Sequence, residues 1–148
     1  MSKYEEGMKI LDERFGKNKD NCISLATIAL ESGASGRPRP SVRDVDAFYE
    51  DGVFYVVTNA QSNKMKQIAA NPEVSVSVHL EDFFSAGIAE NLGWVLEPAN
   101  AEIRGKLRTV FAAWYDFANN ENDNDCCFLA IRMTKGTLRI DHGVAFYH

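Results

Sequence analysis

The residues best suited to chemistry lie between Arg37 and Pro72. Three arginines, Arg37, Arg39 and Arg43, cluster there in a chain that is acidic overall. The same segment contains Thr58-Asn59-Ala60-Gln61-Ser62-Asn63-Lys64, where small polar residues follow a β-forming stretch and open a helical one. Free backbone N–H groups at a helix start, joined by the Ser62 hydroxyl and the Lys64 ammonium, make a site for a phosphate. Arg43, on an antiparallel neighbour, would complete a two-pronged clamp on the same oxygens. The competing reading is plainer: Ser62 is only an N-cap, Lys64 is solvated, and Arg43 pairs with Asp44 or Asp46. Spacing alone leaves both open.

Other chemistries have less to work with. The sequence has no G-x-G-x-x-G, no P-loop, no G-x-S-x-G and no H-E-x-x-H. Its three histidines, His79, His142 and His148, are scattered. His79 falls on the polar face of a strand, where it is expected to be solvated or hydrogen-bonded, and the other two belong to a tail expected to fray. No metal site is expected. The three cysteines, Cys22, Cys126 and Cys127, lack zinc-type spacing and are too few for a disulfide framework. They are expected to be buried free thiols, with Cys126 and Cys127 structural in an apolar run.

These residues need elements to place them. Tyr4, Met8, Leu11 and Phe15 share one helical face, with Ser2 and Glu5 at capping-box spacing and Gly16 at the far end. Cys22 to Leu30 reads as a strand, Ser41 to Tyr49 as a second and Val53 to Thr58 as a third, the last two joined by a tight hairpin at Glu50-Asp51-Gly52. Ser62 to Ala70 reads as a short helix stopped by Asn71-Pro72. Val74, Val76, Val78 and Leu80 alternate with Ser75, Ser77, His79 and Glu81, which is a strand with one dry face. Phe83 to Leu96, with Gly87 and Gly93, suggests a bent or bulged strand. A helical stripe, Ile103, Leu107, Val110, Phe111 and Trp114, follows. Trp114 is therefore expected to make core or dimer contacts rather than to touch a cofactor. Cys126 to Met133 and Thr137 to Ile140 read as two last strands around Lys135-Gly136.

The whole chain fits one domain, residues 1–148, mainly β in an α+β sense. Sixteen basic and 21 acidic residues leave a net charge of −5, which argues against broad nucleic-acid or anionic-membrane binding. No apolar run reaches bilayer length and the start lacks a signal-peptide core, so a cytoplasmic location is expected.

The stretch from Arg43 to Val78 resembles the pyridoxamine 5′-phosphate oxidase-like family of flavin-binding split barrels. The resemblance rests on an ordered set: Arg43, Asp51-Gly52, Thr58-Asn59, Ser62-Asn63-Lys64, Asn71-Pro72 and the valine-rich Val74 to Val78. In length the chain is similar to the small general-stress-protein and nitroimidazole-resistance-type members. The resemblance implies a six-stranded antiparallel Greek-key split β-barrel with about three flanking helices, a homodimer, and FMN at the dimer interface. It implies that Arg43, Ser62 and Lys64 hold the FMN phosphate, with Asn63 in the same motif. Thr58 and Asn59 would lie near the ring or ribityl chain, and the backbone from Ser41 through Val42 to Arg43 would face the flavin. Two positions depart from the full oxidases. Phe48 stands where they carry a lysine, and Asn63 stands where they are often basic. The oxidases' carboxy-terminal substrate-binding extension has no counterpart, so pyridoxamine phosphate oxidation is not the activity expected.

The function expected is an FMN-dependent oxidoreductase acting on a small-molecule substrate or electron donor, with no nucleic-acid or membrane partner. The alternatives are a flavin-binding stress protein or carrier without turnover, and an empty barrel used for interaction. No catalytic side chain stands out. A homodimer is also expected on physical grounds, since the valine stripe Val74, Val76 and Val78 needs covering on so small a chain.

Overall fold

The computed structural model describes residues 1–140 and the strand Gly143–Tyr147. His142 and His148 lie outside the described residues. The first helix, α1 (Lys3–Phe15), starts as its sequence requires. Ser2 Oγ accepts the Glu5 N–H at 3.1 Å and the Glu5 carboxylate accepts the Ser2 N–H at 2.9 Å, closing the capping box.

Strands β1 (Asn21–Ser32), β2 (Pro38–Glu50) and β3 (Val53–Asn59) form an antiparallel meander. The β2–β3 hairpin turns on Asp51 and Gly52, both at positive φ (48° and 80°), which is the twist a two-residue hairpin needs. Helix α2 (Asn63–Ala70) then carries the chain to β4 (Glu73–Val78), which returns to lie beside β1. That spatial order, β3-β2-β1-β4, is a Greek key. Strands β5 (Phe83–Trp94) and β6 (Cys126–Ile140) continue the sheet, and β3 pairs with β6 to close a six-stranded barrel. Between β5 and β6 come a single 3-10 turn (Pro98–Asn100), α3 (Ala101–Val110) and the short α4 (Tyr115–Ala118). The last strand, β7 (Gly143–Tyr147), adds to β6 outside the barrel.

Two apolar clusters hold this together. Inside the barrel, Ile23, Leu25, Phe54, Val76, Leu129 and Ile131 pack with Leu11 and Phe15 of α1 and with Met65 and Ile68 of α2. Outside it, Phe48, Val57 and Phe128 pack against Leu107, Phe111 and Tyr115, with Trp114 at the edge. The second cluster fixes α3 and α4 over the β3–β6 seam, beside the start of α2.

Three expectations are corrected. The two final strands around Lys135-Gly136 are one continuous β6, because Gly136 is buried in register with Ser85 and the irregularity is absorbed between Ala86 and Gly87. Cys22 is exposed rather than buried, because its side chain falls on the outer face of β1. The valine stripe needs no partner: Val74, Val76 and Val78 are buried in the barrel's own interior. Among the described residues no helix is long and apolar enough to cross a membrane.

Candidate functional site

The site begins where β3 hands over to α2. Asn59 Oδ1 accepts the Gln61 N–H at 2.9 Å, and the Ser62 N–H donates to the Asn59 carbonyl at 3.0 Å. This tight turn sets Ser62 at the N-cap position with extended backbone (φ −66°, ψ 156°). The hydroxyl does not cap the helix. Ser62 Oγ is buried and has no hydrogen-bond partner. A buried hydroxyl left unpaired costs about 1–3 kcal/mol, so this one marks a position where a ligand oxygen would be welcome. The first N–H groups of α2 also lack intrahelical acceptors, as at any helix start.

Lys64 lies half-buried beside it. Burial and the nearby Arg43 guanidinium push its pKa down from the ordinary lysine value. Among the described residues no carboxylate forms an ion pair with it. A partly desolvated ammonium next to a second cation and a bare hydroxyl favours an anion.

Arg43 pairs with neither Asp44 nor Asp46. Its Nη1 donates to Thr27 Oγ1 at 2.7 Å and to the Leu25 carbonyl at 3.2 Å, while Nη2 donates to Gln67 Oε1 at 2.9 Å and Ser41 Oγ at 3.1 Å. Gln67 belongs to α2, so the guanidinium ties β2 to the helix that carries Ser62 and Lys64. Asp44 is occupied elsewhere, accepting from Ser24 Oγ at 2.9 Å and lying 3.1 Å from His79 Nε2. His79 is hydrogen-bonded as expected, but β4 ends at Val78, so it lies in the turn after the strand, and Leu80, expected on the dry face, is exposed at positive φ because the chain turns there.

Thr58, Asn59, Ser62 and Lys64 line one cleft of about 590 Å³. The opposite wall is Trp114 with Asn119, Asn120 and Asp123, and Asp46 stands at the side. The structure thus brings four of the eight sequence-derived residues together. Ser41, Val42 and Arg43 sit on neighbouring β2, with Val42 exposed, and Asn63 faces a separate shallow groove with Arg39 and Lys66. The far wall is pinned by one carboxylate. Glu121 accepts from Arg104 Nε at 2.7 Å, Arg108 Nη1 at 2.9 Å and the Tyr115 hydroxyl at 3.1 Å, while its backbone oxygen accepts the Trp94 indole N–H at 2.8 Å. Those donors hold the Glu121 carboxyl below the usual range.

Trp114 and Asp46 are the functional candidates that sequence reasoning passed over. The apolar stripe explains Trp114's stacking on Phe111, with ring centroids 4.6 Å apart, but not that its ring also walls the cleft. Its indole N–H donates to Asp20 at 3.1 Å, a contact across 94 residues of sequence that no local pattern carries. Cys126 touches the cleft too, but burial pushes its thiol pKa up, as it does for Cys127, which rises to about 11. Neither is a ready thiolate. Among the described residues no group of three or more potential metal ligands occurs.

No protein-family model matches the chain, and a search of curated proteins finds no significant relative. Solved structures do resemble it. A NimC/NimA family protein from Clostridium acetobutylicum is 21% identical, with TM-score 0.63 over 97% of this chain and 93% of that one. A FAD-binding protein from Mesorhizobium loti is 20% identical, with TM-score 0.59 over 78% and 83%. A haem storage protein from Vibrio cholerae is 14% identical, with TM-score 0.63 over 91% and 94%. The chain therefore has the split-barrel fold of these proteins, as the resemblance implied. At such identities the likeness speaks for the fold alone.

Proposed function

We propose that the cleft binds FMN and that the protein is a cytoplasmic, homodimeric FMN-dependent oxidoreductase acting on a small molecule. The observation that carries this reading is Ser62 Oγ, buried and unpartnered, beside a half-buried Lys64 without a counter-ion. A phosphate would satisfy all three donors at once: the hydroxyl, the ammonium and the open N–H groups of α2. Arg43 would add positive potential from behind and hold α2 in register with β2. Trp114 lines the same cleft and offers an aromatic side chain for a ring system to meet. Bound flavin would supply the electron chemistry, and the protein would bind, orient and exclude water.

The homodimer is supported by the outer face of β2-β1-β4-β5. Cross-strand register sets Val42 beside Ala26, Ala26 beside Ser75 and Ser75 beside Ala86, and the next rows bring Phe84 and Ile88. Val42 is 70% exposed and Phe84 49%. Small residues flanked by exposed apolar ones form a flat surface suited to a second copy.

Purified protein with flavin absorbance, FMN release on denaturation, and reduction by a nicotinamide cofactor followed by reoxidation with quinone or nitroaromatic acceptors would bear this out. Protein that takes up no FMN at micromolar concentration would refute it. Light scattering tests the dimer, and Val42→Glu with Phe84→Glu should yield monomers.

A further inference from the structure

A second cleft, of about 510 Å³, lies between β3, the end of β5 and α3, and shares no lining residue with the first. Tyr55 and Glu90 are both in register with Ala130, so they project from the same face of the sheet, roughly 10 Å apart across two strand spacings. Three carboxylates, Glu50, Glu90 and Glu102, stand here against one ammonium, Lys106. Lys106 is already committed. Its Nζ donates to Glu50 Oε1 at 2.6 Å and Oε2 at 2.9 Å, and lies 3.5 Å from Glu102 Oε1. Among the described residues no cation pairs with Glu90.

Exposed acids alone need no ligand, because water solvates them. Asn100 is different. It is only 5% exposed, and its Nδ2 donates inward to the Leu92 carbonyl at 3.0 Å and the Trp94 carbonyl at 2.9 Å. Carbonyls only accept, so these two bonds fix which way the amide points. Asn100 Oδ1 is thereby turned from β5 toward the cleft that Asn100 lines, and among the described residues no group donates to it. A buried acceptor and an unpaired carboxylate thus face one space, and both call for a positively charged donor. The rest of the lining favours an organic cation over a metal ion. Tyr55, Leu92 and Ile103 offer apolar and aromatic surface, and among the described residues no group of three or more potential metal ligands occurs.

We propose that this second cleft binds an aliphatic diamine. One ammonium donates to Glu90 and to Asn100 Oδ1, and the hydrocarbon chain lies on Tyr55, Leu92 and Ile103. The second ammonium meets Glu102, whose side chain is 87% exposed and holds Lys106 only at long range. The inference stands apart from the flavin reading, which concerns the other cleft.

Titration of isotope-labelled protein with 1,4-diaminobutane at neutral pH, followed by amide chemical shifts, tests it. Saturable shifts are expected at Leu92, Ile103 and both the backbone and side-chain amides of Asn100. The uncharged 1,4-butanediol should leave them in place. Glu90→Gln should weaken the diamine about ten- to a hundredfold, the worth of one charge-assisted hydrogen bond. Glu13→Gln makes the same charge change on exposed α1 and should leave affinity unaltered. The one-headed 1-aminobutane should bind the wild type more weakly than the diamine, and the two should bind Glu102→Gln alike. That last comparison keeps the test decisive should Glu90→Gln fail to fold. No saturation up to about 10 mM, equal shifts from the diol, or equal losses in Glu90→Gln and Glu13→Gln overturns the site. Equal affinity of the amine and the diamine for the wild type overturns the diamine as its ligand.

Discussion

Ser62 separates a binding site from an ordinary helix start, because the two roles predict opposite signs. If the hydroxyl were a cap, Ser62→Ala would cost the flavin-free protein about 1 kcal/mol. The structure gives it no cap bond and no other partner, so its burial is an unpaid penalty of about 1–3 kcal/mol. Ser62→Ala should therefore leave flavin-free stability unchanged or raise it by up to about 1 kcal/mol. In the same variant FMN loses one neutral hydrogen bond, about 0.5–1.5 kcal/mol, which weakens binding about two- to tenfold. Lys64→Ala removes a charge-assisted bond and should weaken FMN about ten- to a hundredfold. Riboflavin lacks the phosphate, so both variants should bind it as the wild type does and lose most of the preference for FMN. Urea unfolding gives the stability term, and flavin fluorescence titration gives both affinities. A Ser62→Ala chain that is destabilised by about 1 kcal/mol and keeps its FMN-to-riboflavin ratio would show that the hydroxyl caps the helix and that the phosphate assignment is wrong.

Other consequences are measurable. Gly87→Ala should cost about 1–3 kcal/mol in a urea melt, because the added Cβ would lie 2.8 Å from the Arg132 carbonyl oxygen at the β5 bulge. In the native protein a disulfide reagent should label Cys22 alone, with Cys126 and Cys127 reacting only after denaturation; fast native labelling of a second thiol would contradict their burial. Replacing Cys126 and Cys127 with alanine should change stability by about 1–3 kcal/mol and leave FMN bound. Because the folded chain holds a proton on Asp46 that the unfolded chain has released, stability should fall as pH rises from about 4 to about 6. Asp46→Asn should flatten that slope, seen as urea midpoints at pH 4 and 7 that draw together.

Most of the fold was legible because its signals are local. Alternation gave β4, the positive-φ turn gave the β2–β3 hairpin, and Ser2 with Glu5 gave the start of α1. What failed were inferences about which surfaces face each other. Alternation makes the valine stripe look in need of a second chain, since it shows that a face is dry but not what covers it. Closure through the β3–β6 pair, joining Val53 to Arg132 and Asn59 to Cys126, turns that face inward, and such long-range pairing leaves no mark on either strand alone. Cys22 shows the same limit. It opens an apolar run, yet period-2 geometry sets it on the face opposite Ile23.

The site divides along the same line. Thr58, Asn59, Ser62 and Lys64 come from one strand-to-helix junction, and short-range spacing was enough to collect them. The facing wall comes from Trp114 to Asp123, brought over by α3, α4 and the Glu121 bonds to Arg104 and Arg108. Its residues carry no motif because each is placed by packing rather than by chain neighbours. The stripe marks Trp114 as a packing residue, and it does pack on Phe111. A tryptophan is large enough to stack on a neighbouring ring and still line a cleft, so a stripe cannot assign it to one task. The same holds for Asp46, whose alternation marks it as outward-facing and ordinary. Only the three-dimensional fold, which brings Trp114 and Ser62 to the same cleft, gives it a place in the site.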